Sequence, residues 1–198
     1  STRQCTLFPY TTLFRSASDN CGGTVTITHN ADVITPGSCT NRYSIARTYI
    51  ATDVCGNSSS QTQTITVNDQ TAPVISSIPA NATVSCVGEV PVANDAGVTA
   101  SDNCGGTVTI THNADVITPG SCTNRYSIAR TYIATDVCGN SSSQTQTITV
   151  NDITAPVISS IPANTTVSCV SEVPAANDAG VTASDNCGGA VTITHNAD

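Results

Sequence analysis

The sequence repeats itself with a period of 83 residues. The string Ser-Asp-Asn-Cys-Gly-Gly begins at Ser18, Ser101 and Ser184, and residues 18–69 recur letter for letter as residues 101–152. A period of this length is too long for one turn of a solenoid and matches a whole small domain. We therefore expect a tandem array in which each repeat is one module.

The repeat places the module boundaries. We expect the C-terminal part of a first module at 17–69, a complete module at 70–152 and the N-terminal part of a third module at 153–198. Residues 1–16 have no counterpart at the matching repeat positions, and residues 6–16 resemble an in-frame translation of a sequencing-library adapter. This segment is excluded from fold prediction as non-native.

Composition after residue 16 indicates an all-β chain. Thr and Val favour strands, while the abundant Gly, Pro, Asn and Asp supply turns. No window shows a helical period, and no apolar run approaches the ~18 residues that a membrane span needs. The net charge of −8 argues against a nucleic-acid partner, which requires a basic face.

The complete module divides into short segments with strand character. In Thr107–His112, Val108 and Ile110 alternate with threonines, which is typical of a half-buried strand. The further predicted strands are Pro73–Pro79 with Thr83–Cys86, Gly97–Ser101, Asp115–Gly120, Tyr126–Thr135 and Gln144–Val150. Six or seven such strands, with turns about every ten residues, predict an immunoglobulin-like β-sandwich.

The longest predicted strand places a charged residue on an apolar face. Tyr126, Ile128 and Tyr132 share this face with Arg130, and Ile148 and Val150 of the last strand lie opposite. An inward-facing Arg needs a partner, so we expect an ion pair between Arg130 and a carboxylate, either Asp115 or Glu89.

No catalytic residue is predicted. His112 with Asp115 could serve as a base and its orienting partner, but the sequence contains no nucleophile elbow or comparable motif. The chain is therefore interpreted as a non-enzyme.

Cysteine usage indicates the compartment. Each module carries four cysteines at fixed spacing: Cys86, Cys104, Cys122 and Cys138 in the complete copy, Cys21, Cys39 and Cys55 before it, and Cys169 and Cys187 after it. An even number in a module of about 80 residues with few aromatics predicts a disulfide framework and a secreted, extracellular location. Zinc is disfavoured because the chain has no Cys-x-x-Cys pair and no His close to a Cys.

Three segments resemble a known family: Ala134–Asn140 (Ala-Thr-Asp-Val-Cys-Gly-Asn), Ser101–Gly106 (Ser-Asp-Asn-Cys-Gly-Gly) and Asn151–Pro156 (Asn-Asp-Ile-Thr-Ala-Pro). They are similar to the hyalin-repeat-like modules with four cysteines. Such modules occur in very large surface proteins of Bacteroidetes-type bacteria, including gliding adhesins. The resemblance covers everything after residue 16. It implies an immunoglobulin-like fold, secretion, and adhesive or structural use.

Strand geometry restricts the disulfide pairing. Cys122 and Cys138 flank the longest strand, and twelve extended residues span about 40 Å, whereas bonded cysteines need Cα atoms within about 7 Å. In an immunoglobulin-like strand order, Cys104 and Cys138 share one pole of the module, and Cys86 and Cys122 share the other. We predict the pairs Cys104–Cys138, Cys86–Cys122 and Cys21–Cys55. Cys86–Cys104 remains an alternative, and Cys39, Cys169 and Cys187 are expected to be unpaired.

Acidic and amide residues concentrate at the pole where modules join. Oxygen atoms from converging loops are the ligands that Ca²⁺ prefers, so a junction calcium site is one interpretation. Its candidate ligands are Asp69, Asp102, Asn103, Asp136 and Asn140 at one junction, with Asp152 and Asp185 at the next. The other interpretation is that Asp and Asn occur there because their side chains cap the backbone of turns.

Two functions remain open at this point. Near-identical copies favour a stalk whose partners are neighbouring identical modules and which projects an adhesive tip from the cell surface. Alternatively, each module binds a surface glycan or protein directly, and repetition supplies avidity. An exposed aromatic cluster would favour the second function.

Overall fold

The computed structural model describes residues 17–196, and the excluded segment 1–16 lies outside these described residues. Within this range the long elements are all β-strands, and the helical segments are four single turns of 3-10 helix. The all-β prediction is confirmed, and the several sheets agree with an immunoglobulin-like β-sandwich. In the described part of the chain, no helix has the length and apolar character needed to cross a membrane.

The first module contributes a four-stranded antiparallel sheet. Its strands are β1 (Thr26–His29), β2 (Val33–Cys39), β3 (Arg42–Thr52) and β4 (Ser58–Asn68). β4 pairs with β3 over the full length of both strands, from Arg42 opposite Asn68 to Thr52 opposite Ser58. β1 and β2 share the other edge of β3, where β1 pairs with residues 49–52 and β2 with the beginning of the strand.

The second module repeats this sheet and adds strands at its start. Its seven strands are β5 (Val74–Ser77), β6 (Ala82–Val84), β7 (Thr99–Ser101), β8 (Thr109–His112), β9 (Val116–Cys122), β10 (Arg125–Thr135) and β11 (Ser141–Asn151). β8, β9, β10 and β11 are the copies of β1 to β4, and β6 joins β11 in parallel to complete a five-stranded sheet. β5 and β7 form a separate two-stranded sheet. This strand number agrees with the six or seven strands expected.

The third module begins in the same way as the second. β12 (Val157–Ser160) and β13 (Thr182–Ser184) pair antiparallel, and a hydroxyl hydrogen bond of 2.7 Å joins Ser159 to Thr182. The same bond joins Ser76 to Thr99 in the second module. Sequence repetition is therefore matched by repetition of local structure.

The core lies in the second module, where β10 from Ile128 and β11 from Gln146 bury every second residue. The buried apolar residues in the described range are Pro73, Val98, Ile128, Tyr132, Ala134, Ile148 and Val150. Tyr132 is fully buried, and its hydroxyl accepts a hydrogen bond from the Asn94 N–H and donates one to Gln146 Oε1. Gln146 in turn donates to the Ala80 carbonyl at 2.7 Å, so the polar groups within the core are paired.

The compact units of the structure do not coincide with the sequence modules. Among the described residues, one unit combines residues 17–74 with the segments Ser101–Thr109 and Thr135–Ser141. The other contains Ile75–Ala100, Ile110–Ala134 and the chain from Ser142 onward. Each unit thus brings together parts of two successive modules.

Candidate functional site

Four of the seven predicted ligand residues lie in two clusters where successive modules meet, which we call the first joint and the second joint. The first joint contains Asp69, Asp102 and Cys104. The second joint contains Asp152, Asp185 and Cys187, which stand one period later at the same repeat positions. In each joint one side-chain atom of each of the three residues lies within 4.8 Å of the others, although the Cys187 sulfur is bonded to Cys86.

Asp69 is the buried centre of the first joint, with 4% of its surface exposed. Its backbone carbonyl accepts hydrogen bonds from Arg42 Nε at 2.9 Å and from Asn140 Nδ2 at 3.3 Å. Its Oδ1 accepts the N–H of Thr71 at 3.1 Å, because a carboxylate two residues before a backbone N–H can close a tight turn. Its Oδ2 is buried and has no hydrogen-bond partner.

The Asp102 carboxylate lies close to that of Asp69 and is hydrogen-bonded in a similar way. Its Oδ1 accepts the N–H of Cys104 at 2.9 Å, while its Oδ2 is also buried without a hydrogen-bond partner. Two carboxylates with unpartnered buried oxygens lie close together, which is unfavourable unless a cation or water compensates them. Burial raises the pKa of the Cys104 thiol, and the charges of Asp69 and Asp102 raise it further.

Asp136 and Asn140 do not join this carboxylate pair. Asp136 Oδ1 accepts the N–H groups of Cys138 and Asn140, both at 2.8 Å, and Oδ2 accepts Asn140 Nδ2 at 2.8 Å. Burial opposes the ionisation of Asp136, but these donors outweigh it and hold its pKa below the usual range. Both residues therefore stabilise their own turn. Asn103 donates to Cys104 Sγ at 3.4 Å and likewise stands outside the pair.

The second joint repeats the backbone contacts of the first. Arg125 Nε donates to the Asp152 carbonyl at 2.8 Å, as Arg42 does to Asp69, and Thr154 donates to Asp152 Oδ1 at 3.1 Å. Asp152 Oδ2 accepts Asn124 Nδ2 at 3.5 Å. Asp185 Oδ1 accepts the N–H of Cys187 at 2.9 Å. The hydrogen bond from the arginine Nε to the aspartate carbonyl is thus repeated in both modules.

The predicted disulfide pairs must be corrected. The structure bonds Cys39 to Cys138 and Cys86 to Cys187, with Cα–Cα distances of 5.2 and 5.0 Å. The predicted pairs Cys104–Cys138, Cys86–Cys122 and Cys21–Cys55 do not form, since Cys21, Cys55, Cys104 and Cys122 have free thiols. Of the three cysteines expected to be unpaired, only Cys169 is free.

The predicted pairs are wrong because they assume that each cysteine bonds to another cysteine of its own module. Both bonds instead cross a joint and close loops with sequence separations of 99 and 101 residues. The sequence excluded only a Cys122–Cys138 bond, because these cysteines lie at opposite ends of one long strand. The spacing of cysteines within one period does not tell whether a partner lies in the same module or in the next.

The polar residues singled out in the complete module have structural roles. Arg130 is buried and donates to both oxygens of Asp115 at 2.8 and 2.7 Å, which confirms the predicted ion pair. It also donates to the Pro91 carbonyl at 2.8 Å. His112 pairs with Asp95 Oδ1 at 2.8 Å, and not with Asp115.

Comparison with known proteins matches one part of the chain to a family. No curated protein matches the chain. Residues 74–150, which lie within the complete repeat and include β5 to β10 and nearly all of β11, match the family model described as an HYR-like domain with 4 cysteines, a cell-adhesion-type extracellular module.

Proposed function

We propose that this chain belongs to the structural repeat region of a large secreted cell-surface protein, in which strings of modules form a stalk that projects an adhesive tip. The observation that carries the proposal is that both disulfides connect successive copies of the module. Covalent joints between near-identical units suit a part whose task is to set length and transmit force. Neighbouring modules are then the principal partners.

Direct binding of a glycan or protein by each module is the competing function. Such sites usually present exposed aromatic side chains, but Tyr132 is fully buried in the core. Tyr126 is half-buried and lines a hollow of 320 Å³ that also contains Cys122. At the same repeat position in the first module, Cys39 is bonded to Cys138 of the next copy, so the hollow supports the stalk function better than ligand binding.

A glycan array distinguishes the two functions. Beads that carry many copies of the oxidised chain would be tested, because avidity would reveal even weak binding by single modules. The stalk proposal expects no more binding than with beads that carry Tyr126→Ala. Saturable binding to one glycan class that Tyr126→Ala abolishes would assign the modules a direct recognition role instead.

We further propose that the first joint binds a divalent cation such as Ca²⁺. The support is the pair of buried, unpartnered oxygens on Asp69 and Asp102. Backbone carbonyls and water would complete the six to eight oxygens that Ca²⁺ takes. The cation would neutralise two like charges and hold adjoining segments of two modules together.

The thermal midpoint of the chain, measured in 10 mM Ca²⁺ and in chelator, tests the cation site. With a dissociation constant of 0.1 to 1 mM, as is typical of extracellular modules, Ca²⁺ would stabilise the fold by about 2 kcal/mol. Asp102→Asn should remove this increase. Asp19→Asn is the matched control, since Asp19 holds the same repeat position but no copy of Asp69 precedes it in the sequence.

The outcome separates the two interpretations of the acidic residues. An equal midpoint with Ca²⁺ and chelator would leave Asp69 and Asp102 as turn residues. Loss of the Ca²⁺ effect in Asp19→Asn as well would show that the cation acts on charge in general and not at the first joint. Either result would leave the stalk proposal intact, because that rests on the disulfides.

A further inference from the structure

The cysteines in the described residues occupy four positions of the repeat. We number these positions in the order in which they occur in a module. The first position holds Cys86 and Cys169, the second Cys21, Cys104 and Cys187, the third Cys39 and Cys122, and the fourth Cys55 and Cys138. In these terms Cys39–Cys138 joins a third cysteine to the fourth of the next module. Cys86–Cys187 joins a first cysteine to the second of the next module.

These two rules also account for every free cysteine in the described residues. By the first-to-second rule Cys104 needs a partner one period before Cys86, and that position is Arg3, in the segment that departs from the repeat. The partners of Cys122 and Cys169 would lie after residue 198, and those of Cys21 and Cys55 before residue 1. Each free thiol is therefore one whose partner position either holds no cysteine or lies outside the given sequence.

The surface around Cys122, a third cysteine with a free thiol, contains a hollow that could bind a loop of the next module. Around Cys122 the chain forms the 320 Å³ hollow, which is lined by Ile117, Pro119, Gly120, Cys122, Thr123, Arg125 and Tyr126. At the same repeat positions in the first module, the fourth-cysteine loop Thr135–Ser141 of the second module is in place. There Cys39 is bonded to Cys138, and Arg42 Nη2 donates to Asn140 Oδ1 at 3.0 Å.

The residues around the third cysteine are less exposed in the first module, where the loop is docked, than in the second module. Cys39 and Arg42, which contact the docked loop, are half-buried, whereas Cys122 and Arg125, their copies in the second module, are exposed. Since the sequences are identical, the difference arises from the presence or absence of the next module's loop. The occupant that fits the hollow is thus a further copy of Thr135–Ser141.

We infer that every joint of the uninterrupted repeat carries two disulfides, one from third to fourth cysteine and one from first to second, so that the array is a covalent ladder. The partner of each exposed thiol is a further copy of the same module. Each bond forms when two thiols lose two protons and two electrons, and a disulfide oxidant of the secretory environment takes up these electrons and becomes two thiols. This inference shares its observations, the two disulfides, with the stalk proposal. The tests differ, because peptide mapping reads the pairing and the glycan array reads direct recognition.

Peptide mapping of the oxidised chain tests the inference. A protease that cuts before Asp places each cysteine of the repeat in a separate peptide. Monomer from a non-reducing separation would be alkylated, denatured and digested. The peptide 69–94, with Cys86, should be linked to 185–197, whose Ala190 distinguishes it from the copy with Thr107. Linkage of 69–94 to 102–114 or 115–135 would overturn the first-to-second rule.

The third-to-fourth bond needs variants, because peptides 32–52 and 115–135 have identical sequences, as do 53–68 and 136–151. Cys39→Ser and Cys138→Ser should each abolish the linked species that these peptides form. Cys122→Ser and Cys55→Ser, the same changes in the same sequences, should leave it intact. Loss of the species in Cys55→Ser or Cys122→Ser would refute the third-to-fourth rule, and the Cys86–Cys187 link retained in each variant checks its folding.

Discussion

Arg47 and Arg130 occupy the same position of the repeat and make the same pair of hydrogen bonds to an aspartate. Arg47 binds Asp32 at 2.8 and 2.7 Å, the distances found between Arg130 and Asp115. Their surroundings differ, because the Arg47 side chain is 34% exposed and that of Arg130 is 6% exposed. An ion pair in water contributes little, whereas a buried charge depends on its partner.

This contrast predicts unequal effects of one substitution at two sites. Asp115→Asn leaves the Arg130 charge buried without its counter-ion, so we expect a loss of about 3 kcal/mol in the unfolding free energy of the surrounding structure. Asp32→Asn should cost much less, because water can solvate Arg47. Urea denaturation followed by circular dichroism measures both, and equal losses would contradict the role of burial.

The same pair predicts how acid affects stability. The hydrogen bonds and charge of Arg130 hold the pKa of Asp115 below its usual range. The folded state therefore binds this proton more weakly than the unfolded chain, whose Asp pKa is about 3.9. The pair stabilises the fold fully above that pH, and the contribution is lost as pH falls through the lower folded-state pKa. Thermal midpoints should show the wild type approaching Asp115→Asn below about pH 4.

Two strands with identical sequences show what packing adds at the scale of the element. β11 buries Ile148 completely, whereas its copy Ile65 in β4 is half-buried. Within the described residues the first module has no copies of β5 to β7, whereas in the second module the segments beside these strands contact the core through Gln146 and Tyr132. The sequence of a strand thus sets which of its residues face the core, but how deeply they are buried depends on the rest of the module.

Truncation of these isoleucines tests that dependence. Ile148→Ala should cost about 3 to 4 kcal/mol, because it removes three buried carbon atoms and leaves a cavity. Ile65→Ala should cost about 1 kcal/mol, since part of that side chain already contacts water. Urea midpoints of the two variants provide the comparison. Equal midpoints would mean that the first module is as well packed as the second.

Elements were predictable from the sequence to different degrees. The long strand predicted at Tyr126–Thr135 is observed at Arg125–Thr135, because strict alternation around Ile128 and Tyr132 leaves one choice of face. The predicted strand Gly97–Ser101 begins only at Thr99, since Asn94 Oδ1 accepts the Gly97 N–H and closes a turn of 3-10 helix there. The alternation of apolar and polar residues predicts where a strand lies, and hydrogen bonds from side chains to the backbone shift the residue at which it begins.

The joints were only partly predictable. The sequence grouped Asp69 with Asp102, and Asp152 with Asp185, at the module junctions, and the structure brings the members of each pair close together. That they bind a cation stays a prediction. The disulfides were not predicted correctly, because a cysteine pattern within one period is the same whether partners lie in one module or in two. Only three-dimensional placement of the loops that carry Cys104 and Cys138 distinguishes these arrangements.

At the scale of the whole molecule, the two disulfides enclose overlapping stretches of chain. One closes residues 39–138 and the other residues 86–187. In the chain-entropy model a loop of about 100 residues stabilises the fold by about 4.7 kcal/mol. Because the loops share residues 86–138, the two contributions are not additive. The larger effect of the bonds is on how far the chain can be extended.

Force applied to the ends of the chain would follow the shortest covalent path. With both bonds intact, this path can run from Cys39 along the backbone to Cys86 and cross directly to Cys187, which removes about 100 residues from the extensible length. Full reduction should therefore lengthen the unfolded chain by about 350 Å. Pairing inside modules, by Cys104–Cys138, Cys86–Cys122 and Cys21–Cys55, would release only about 240 Å.

Single-molecule extension of the chain, first oxidised and then reduced, measures this difference, and Cys122→Ser should leave it unchanged. In a ladder of many modules the shortest path through each is a single strand, from the fourth cysteine back along β10 to the third and across to the next copy. That path has about 16 residues, or about 55 Å, against about 280 Å for a freely unfolding module. The length of such an array would increase little under load even if its sheets unfolded, and a surface stalk requires this mechanical property.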